Sequence, residues 1–161
     1  MNVFEKLRRG IKTASAGETQ TLAAELAASL APDTTLALHG NLGVGKTTFV
    51  QGLARGLGVT DPVTSPTFNI YSVHRSRPVS HGTATPAAPP IVPSITLVHL
   101  DAYRLESAQQ IENLLLEDFL TTPWCLAVEW PEKIADWIPA DALHLDLGIT
   151  PDERHTLRLR S

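Results

Sequence analysis

Short apolar runs alternate along the chain with segments of helical periodicity. Strands are predicted at 34–39, 68–73, 95–100, 126–128, 143–147 and 156–159. The runs at 34–39, 95–100 and 126–128 are short and largely apolar, which is typical of strands buried on both faces of a parallel sheet. The last two strands alternate apolar and polar residues instead, which favours a sheet edge with one exposed face.

Three segments have the periodicity of amphipathic helices. The first begins at Ser15, which has capping-box spacing to Glu18, and ends near 31–32. The second is predicted at 46–57 and the third at 107–120. One face of the third helix is predicted to carry Ile111, Leu114, Leu115 and Phe119.

Strands that alternate with helices predict an α/β fold with a mainly parallel sheet flanked by helices. The two strands that close the chain predict an antiparallel C-terminal edge. We interpret 1–161 as a single domain, since its length is ordinary for one. The Pro/Ala-rich stretch at about 75–94 has no periodicity, and we interpret it as a flexible insertion rather than a domain boundary.

Charge and composition narrow the possible functions. The net charge is −4, which argues against a protein built mainly to bind nucleic-acid backbones, DNA included. The single cysteine, Cys125, permits no internal disulfide and lies in an apolar run, where an inert buried thiol is expected. No apolar stretch is long enough to span a membrane and the chain begins with no secretory signal, so we expect a cytoplasmic protein.

A phosphate-binding loop follows the first predicted strand. Gly40 to Thr47 fits G-x-x-x-x-G-K-[ST] without a gap, between a buried strand and a helix. Its glycines allow backbone N–H groups to point at phosphate oxygens, and the helix N-terminus adds its positive dipole end. Lys46 would contact the β- and γ-phosphates and the Thr47 hydroxyl would ligate Mg²⁺. The loop predicts a P-loop NTPase-like fold, and the missing guanine-reading signature (Asn/Thr-Lys-x-Asp) favours ATP.

Polar residues at the ends of later strands are candidates for the same site. Asp101 follows the strand at 95–100, so it either caps a turn or reaches Mg²⁺; beside a P-loop the metal role is favoured. Glu129 either orients an attacking water or forms a salt bridge. Trp130 is a core residue or stacks near the nucleotide, and spacing favours the core. In 64–67, three hydroxyls resemble a switch turn, although a proline turn with local capping explains them equally well.

Histidines show no metal-ligand spacing. His39, His99 and His144 fall within predicted strands, where packed and hydrogen-bonded side chains are expected rather than catalytic ones.

Four ordered motifs resemble the bacterial TsaE (YjeE) family, over about residues 15–132. They are the P-loop with its flanks at 38–49, Val-Thr-Ser-Pro-Thr-Phe at 63–68, His-Leu-Asp-Ala-Tyr-Arg-Leu at 99–105, and Val-Glu-Trp-Pro at 128–131. The resemblance implies a Mg²⁺-dependent ATPase with low activity alone that is stimulated by partners. It also implies docking on the TsaD–TsaB complex, which adds threonylcarbamoyl to adenosine 37 of tRNA.

The resemblance further implies roles for individual residues. Catalytic roles fall on Glu129, Lys46 and Thr67, and Mg²⁺ ligation falls on Thr47 and Asp101. Nucleotide contacts are implied for Asn41, Leu42, Gly43, Val44, Gly45, Lys46, Thr47, Thr48 and Trp130. Two departures are apparent: Asn41 stands where the family usually has Asp, which removes a carboxylate beside the phosphates, and the 75–94 segment is longer than expected.

Two other functions compete with an ATPase that drives a tRNA-modifying complex. A small-molecule kinase would need an arginine-bearing lid, for which Arg75 and Arg77 are the candidates. A nucleotide-gated binding module would associate with its partner without significant turnover. The acidic net charge favours the first function, because tRNA contact is then left to the partner complex.

Overall fold

The computed structural model describes residues 1–66, 68–77 and 94–161. Four α-helices are found in this part of the chain: α1 (Val3–Arg9), α2 (Ala16–Ser29), α3 (Lys46–Gly56) and α4 (Ala108–Glu112). The strands are β1 (Ile11–Thr13), β2 (Thr34–His39), β3 (Tyr71–Arg75), β4 (Thr96–Asp101), β5 (Trp124–Glu129), β6 (Leu143–Ile149) and β7 (His155–Leu159). Two 3₁₀ segments, Leu116–Phe119 and Pro131–Trp137, complete the secondary structure.

Seven strands form one sheet in the order β1-β7-β6-β2-β5-β4-β3. The four central strands β6, β2, β5 and β4 are parallel to one another. Strands β7 and β1 form the antiparallel C-terminal edge, so the predicted α/β fold is confirmed. The opposite edge is also antiparallel, since β3 pairs with β4, and this was not predicted.

Helices cover both faces of the sheet. The larger hydrophobic core lies between the sheet and α1, α2 and α3. A smaller core on the other face contains Ile111 of α4, Leu116 and Ile134. The apolar runs at 95–100 and 126–128 are buried because both faces of β4 and β5 are covered, as their composition predicted.

Helices α2 and α3 pack closely against each other. A Cβ atom added at Gly52 would lie 2.3 Å from the backbone oxygen of Gln20, so only glycine permits this approach. Ser15 caps α2 by accepting a hydrogen bond from the backbone N–H of Glu18, as its spacing predicted. Because α3 begins at Lys46, its packing against α2 holds the end of the phosphate-binding loop.

The prediction of a strand at 68–73 is wrong for its first half, 68–70. Ile70 has φ of 68°, which lies outside the β region, and β3 begins at Tyr71. The residues before it form a turn in which the N–H of Asn69 donates to the carbonyl of Pro66 at 3.1 Å. Because β-branched residues such as Ile70 rarely adopt a positive φ, the sequence does not indicate this turn.

The prediction of a single helix at 107–120 is also wrong. Helix α4 ends at Glu112, and Leu115 adopts φ of 51° before the 3₁₀ segment begins at Leu116. This break leaves Leu115 60% exposed and Leu116 fully buried, whereas the helical pattern had placed Leu115 on the buried face. Burial of Leu116 in the smaller core therefore overrides the helical period.

The predicted insertion at about 75–94 lies mostly outside the described residues. At its borders Arg75 is the last residue of β3, and the backbone N–H of Ser76 donates to the carbonyl of Ile95 at 3.0 Å. Its flexibility, and the assignment of 1–161 to one domain, stay predictions. Within the described ranges, no helix is long and apolar enough to cross a membrane.

Candidate nucleotide-binding site

The loop between β2 and α3 lies at the carboxyl ends of the central parallel strands. Gly40 opens it with φ of 144°, and a Cβ atom there would lie 2.5 Å from the backbone oxygen of Leu147. Gly43 and Gly45 also have positive φ, of 84° and 97°. Side chains at these positions would strain or displace the loop, so its glycines are required by the backbone path.

Lys46 reaches back across the loop. Its Nζ donates to the backbone oxygens of Gly40 and Asn41, the latter at 3.0 Å, and the residue is only 6% exposed. Burial lowers the pKa of Lys46, while the negative charge of Glu129 opposes this shift. The ammonium group is therefore held by two neutral carbonyl acceptors, and an anionic phosphate oxygen that replaces them would pair with its positive charge.

Two carboxylates stand side by side at the ends of β4 and β5. Asp101 and Glu129 are register partners and are 6% and 3% exposed. Asp101 accepts a hydrogen bond from the N–H of Tyr103 at 2.9 Å, so it caps the turn, the alternative to the favoured metal role, which stays a prediction. Glu129 accepts a hydrogen bond from the Thr47 hydroxyl at 3.1 Å.

These residues fit a Mg²⁺ ion and a phosphate chain. Mg²⁺ prefers hard oxygen ligands and is held by one or two carboxylates together with substrate phosphates. The Thr47 hydroxyl and the buried Asp101 carboxylate are such ligands, and the positive charge of Lys46 is the nearby cation that the pair already has. Among the described residues no group of three or more His, Cys, Asp or Glu forms a metal cage of its own.

Aromatic rings form one wall of the site. The Lys46 ammonium lies 4.3 Å from the centre of the Trp130 ring, within cation–π distance. The ring of Tyr103 also packs on Trp130, with 5.0 Å between ring centres and an angle of 53° between the planes. Trp130 has φ of 57°, and such strained residues cluster at ligand sites. Trp130 thus packs against the smaller core, as spacing favoured, and also lines the cavity; its stacking near a nucleotide stays a prediction.

A cavity of about 500 Å³ opens above the loop. It is lined by Leu42, Gly43, Gly45, Lys46, Thr47, Thr48, Ser65, Asp101, Tyr103, Glu129 and Trp130. Most of the predicted site residues are therefore brought together, although their roles stay predictions. Asn41 and Val44 are not in the lining: Asn41 contributes its carbonyl to Lys46, and Val44 is buried below the loop. Thr67 lies outside the described residues, whereas Ser65 from the same turn lines the cavity.

Sequence reasoning missed two residues of this region. Tyr103 lines the cavity and packs on Trp130; its place two residues after Asp101 was the available signal. His155 of β7 supports the loop from behind, with Nδ1 hydrogen-bonded to the Val44 carbonyl at 2.8 Å. No local pattern could reveal this contact, because it joins residues far apart in the chain.

The three histidines that were predicted to lie in strands have different surroundings. His39 and His144 are stacked and share a 2.8 Å hydrogen bond, as predicted. Burial, with Arg160 nearby, lowers the pKa of His39. His99 is packed as predicted but, within the described residues, neither ring nitrogen has a hydrogen bond.

The parallel sheet, the glycine loop and the lysine, threonine and carboxylates around it define a P-loop nucleotide-binding protein. A family model described as "Threonylcarbamoyl adenosine biosynthesis protein TsaE" matches residues 13–157. The chain therefore belongs to the TsaE family, which confirms the resemblance drawn from the four motifs.

Individual relatives agree with this assignment. The tRNA threonylcarbamoyladenosine biosynthesis protein TsaE of Bacillus subtilis is 32% identical over 146 residues, which are 91% of this chain and 81% of the relative. The protein of the same name from Streptomyces coelicolor is 42% identical over 124 residues, 73% of this chain and 74% of the relative. The crystal structure of Bacillus subtilis YdiB matches with a TM-score of 0.67 and 28% identity, over 92% of this chain and 81% of that one.

Proposed function

We propose that this protein is a Mg²⁺-dependent ATPase required for threonylcarbamoyladenosine modification at adenosine 37 of tRNA, acting on the TsaD–TsaB complex. The observation that carries the proposal is the pair of contacts at the loop. Lys46 is held at the mouth of the loop by backbone carbonyls, and the Thr47 hydroxyl is bonded to the buried Glu129. Relatives named for this modification support the pathway.

Each side chain has a part in the proposed reaction. Lys46 exchanges its carbonyl partners for β- and γ-phosphate oxygens, and Thr47 and Asp101 would hold Mg²⁺, which would supply positive charge to the phosphates. Glu129 orients a water molecule and accepts its proton while the water oxygen bonds to the γ-phosphorus and the bond to the β–γ bridging oxygen breaks. Trp130 shields this region, and Thr67 is proposed as a switch residue that senses the γ-phosphate.

The group transfer itself is left to the partner complex. The net charge of −4 opposes direct binding of a polyanion, so tRNA is contacted through TsaD and TsaB. The reaction takes place in the cytoplasm, where the tRNA substrate is found. Hydrolysis is slow in the isolated protein and is stimulated by the assembled partners.

Phosphate release from Mg²⁺–ATP tests the proposal, measured first with the protein alone and then with TsaD, TsaB and tRNA. The rate should rise with the partners and disappear in Lys46→Ala, which loses about 1.5–3 kcal/mol of charge-assisted hydrogen bonding to nucleotide. That loss corresponds to about a 10- to 150-fold weaker affinity. A rate that the partners leave unchanged, without binding, would refute the proposed role.

The Mg²⁺ site has a separate test. Asp101→Asn keeps the shape of the side chain and removes its charge, so the Mg²⁺ concentration needed for half-maximal hydrolysis should rise. An unchanged Mg²⁺ titration would show that Asp101 is not a ligand. Transfer of labelled phosphate to a metabolite instead of water would support the kinase alternative and contradict the hydrolase.

A further inference from the structure

His99 lies on the sheet face that carries the P-loop helix. It stands two residues before Asp101 on β4, and its register partner on β5 is Ala127. Alternation along the strand places it on the same face as Leu97 of the larger core. Small Ala127 leaves room for an imidazole ring below the Asp101–Glu129 pair, and the ring is fully buried.

The buried ring is not satisfied by its surroundings. Neither His99 nitrogen has a hydrogen-bond partner among the described residues. A neutral imidazole always carries one N–H donor and one acceptor, and burying them without partners costs free energy. A leucine or methionine would fill this space without that cost, so packing alone does not account for a histidine here.

On the β3 side, the register partner of His99 is Ser72, whose hydroxyl is hydrogen-bonded to His74, and on the side of the nucleotide site the neighbouring polar group is Glu129. His99 Nε2 lies 3.4 Å from Glu129 Oε2, just beyond the usual hydrogen-bond range of about 2.7–3.2 Å. The other oxygen of the same carboxylate, Oε1, accepts the hydrogen bond from Thr47. A small rotation of the carboxylate would therefore bring Oε2 within bonding distance of the ring without moving either strand.

We propose that His99 is a positioning residue that donates its Nε2–H to Glu129 Oε2 when nucleotide is bound. The bond fixes the plane of the carboxylate, so that Oε1 is directed at Thr47 and at the attacking water. His99 touches neither water nor phosphate in this arrangement. The inference rests on the role proposed above for Glu129, but it concerns a different residue and has its own measurements.

Four proteins separate positioning from packing: wild type, His99→Leu, His99→Gln and Thr96→Val. Leucine fills the space without a donor, while the amide of glutamine places an N–H near the position of Nε2. Thr96→Val is the matched control, a near-isosteric change in the same buried strand on the opposite face. The readouts are kcat with TsaD, TsaB and tRNA, the Kd of a non-hydrolysable ATP analogue, and Tm.

His99→Leu should lower kcat by about 10- to 100-fold, the range seen when a positioning partner is removed, with the analogue Kd unchanged. His99→Gln should recover most of the loss, and Thr96→Val should match wild type. In a Glu129→Ala background, His99→Leu should cause no further loss, because its partner is gone. Full activity in His99→Leu, an additive loss in the double variant, or failure of glutamine to rescue would each overturn the proposal.

A measurement without turnover keeps the inference separate from the ATPase proposal. In ¹⁵N–¹H NMR spectra of the complex with the analogue and Mg²⁺, His99 should show an exchange-protected Nε2–H that is absent in Glu129→Ala. A proton on Nδ1 instead, or a signal unaffected by Glu129→Ala, would overturn the positioning role. If wild type hydrolyses no more ATP than Lys46→Ala, the proposed function fails, and the NMR result still decides this inference.

Discussion

Replacing Gly52 with alanine tests whether the close contact between α2 and α3 is required. The new Cβ would lie 2.3 Å from the backbone oxygen of Gln20 and 2.5 Å from its Cα. These are backbone atoms of a packed helix, so no flexible side chain can move aside. To restore ordinary contact, the helices must separate by about 1 Å, a gap that forfeits up to roughly half of the dispersion energy of the atoms it parts.

Two opposing effects set the size of the change. Overpacking of this kind costs about 1–3 kcal/mol. Alanine is favoured over glycine inside a helix by about 0.5–1 kcal/mol, which offsets part of this cost. The expected net loss in the free energy of unfolding is about 0–2.5 kcal/mol, or up to about 10 °C in Tm for a chain of this size.

Gly17→Ala is the matched control for this substitution. Gly17 also lies in a helix, α2, but the nearest atom to an added Cβ is Ser15 Oγ at 3.8 Å, an ordinary contact. Alanine there should leave the protein as stable as before, or more stable by at most about 1 kcal/mol. Urea unfolding of both variants gives the comparison. If Gly52→Ala is as stable as Gly17→Ala, the argument from close packing is refuted.

Three further predictions concern side chains in and around the core. ATP should change the tryptophan fluorescence of wild type, and Trp130→Phe should lose this response while still binding nucleotide in calorimetry, because Trp124 and Trp137 do not line the cavity. The pKa of His39 is lower in the folded protein than the ordinary value of 6.5, so, as pH falls, His39 is protonated in the unfolded chain before it is protonated in the folded one. The free energy of unfolding should therefore decrease as pH drops through 6.5, and the decrease should be smaller in His39→Gln. Burial raises the pKa of Cys125 to about 12, so a thiol reagent at pH 8 should label it only as fast as the protein unfolds; rapid labelling would contradict its burial.

Local sequence was sufficient to predict the core of the fold. The strand at β2 and the helix at α3 were predicted with their observed bounds to within one residue, because buried strands and amphipathic helices have strong, regular periods. The phosphate-binding loop is contiguous, so its residue types alone state its chemistry. Ile70 and Leu115 were misjudged, since their positive φ values are imposed by neighbouring turns and by the smaller core.

The candidate site shows where the sequence stops and the tertiary structure begins. Because each of two apolar strands is followed by an acidic residue, the sequence predicted that Asp101 and Glu129 lie at the carboxyl ends of the strands. Only the strand order, with β5 between β2 and β4, makes them register partners and brings Glu129 to Thr47. The contacts of His99 with Glu129 and of His155 with the loop depend equally on which strands are neighbours. The period of a sequence specifies the face of the sheet on which a side chain lies. The residues that the side chain contacts depend on which strands pair over long distances in the chain. That pairing is determined by the burial of both faces of one sheet.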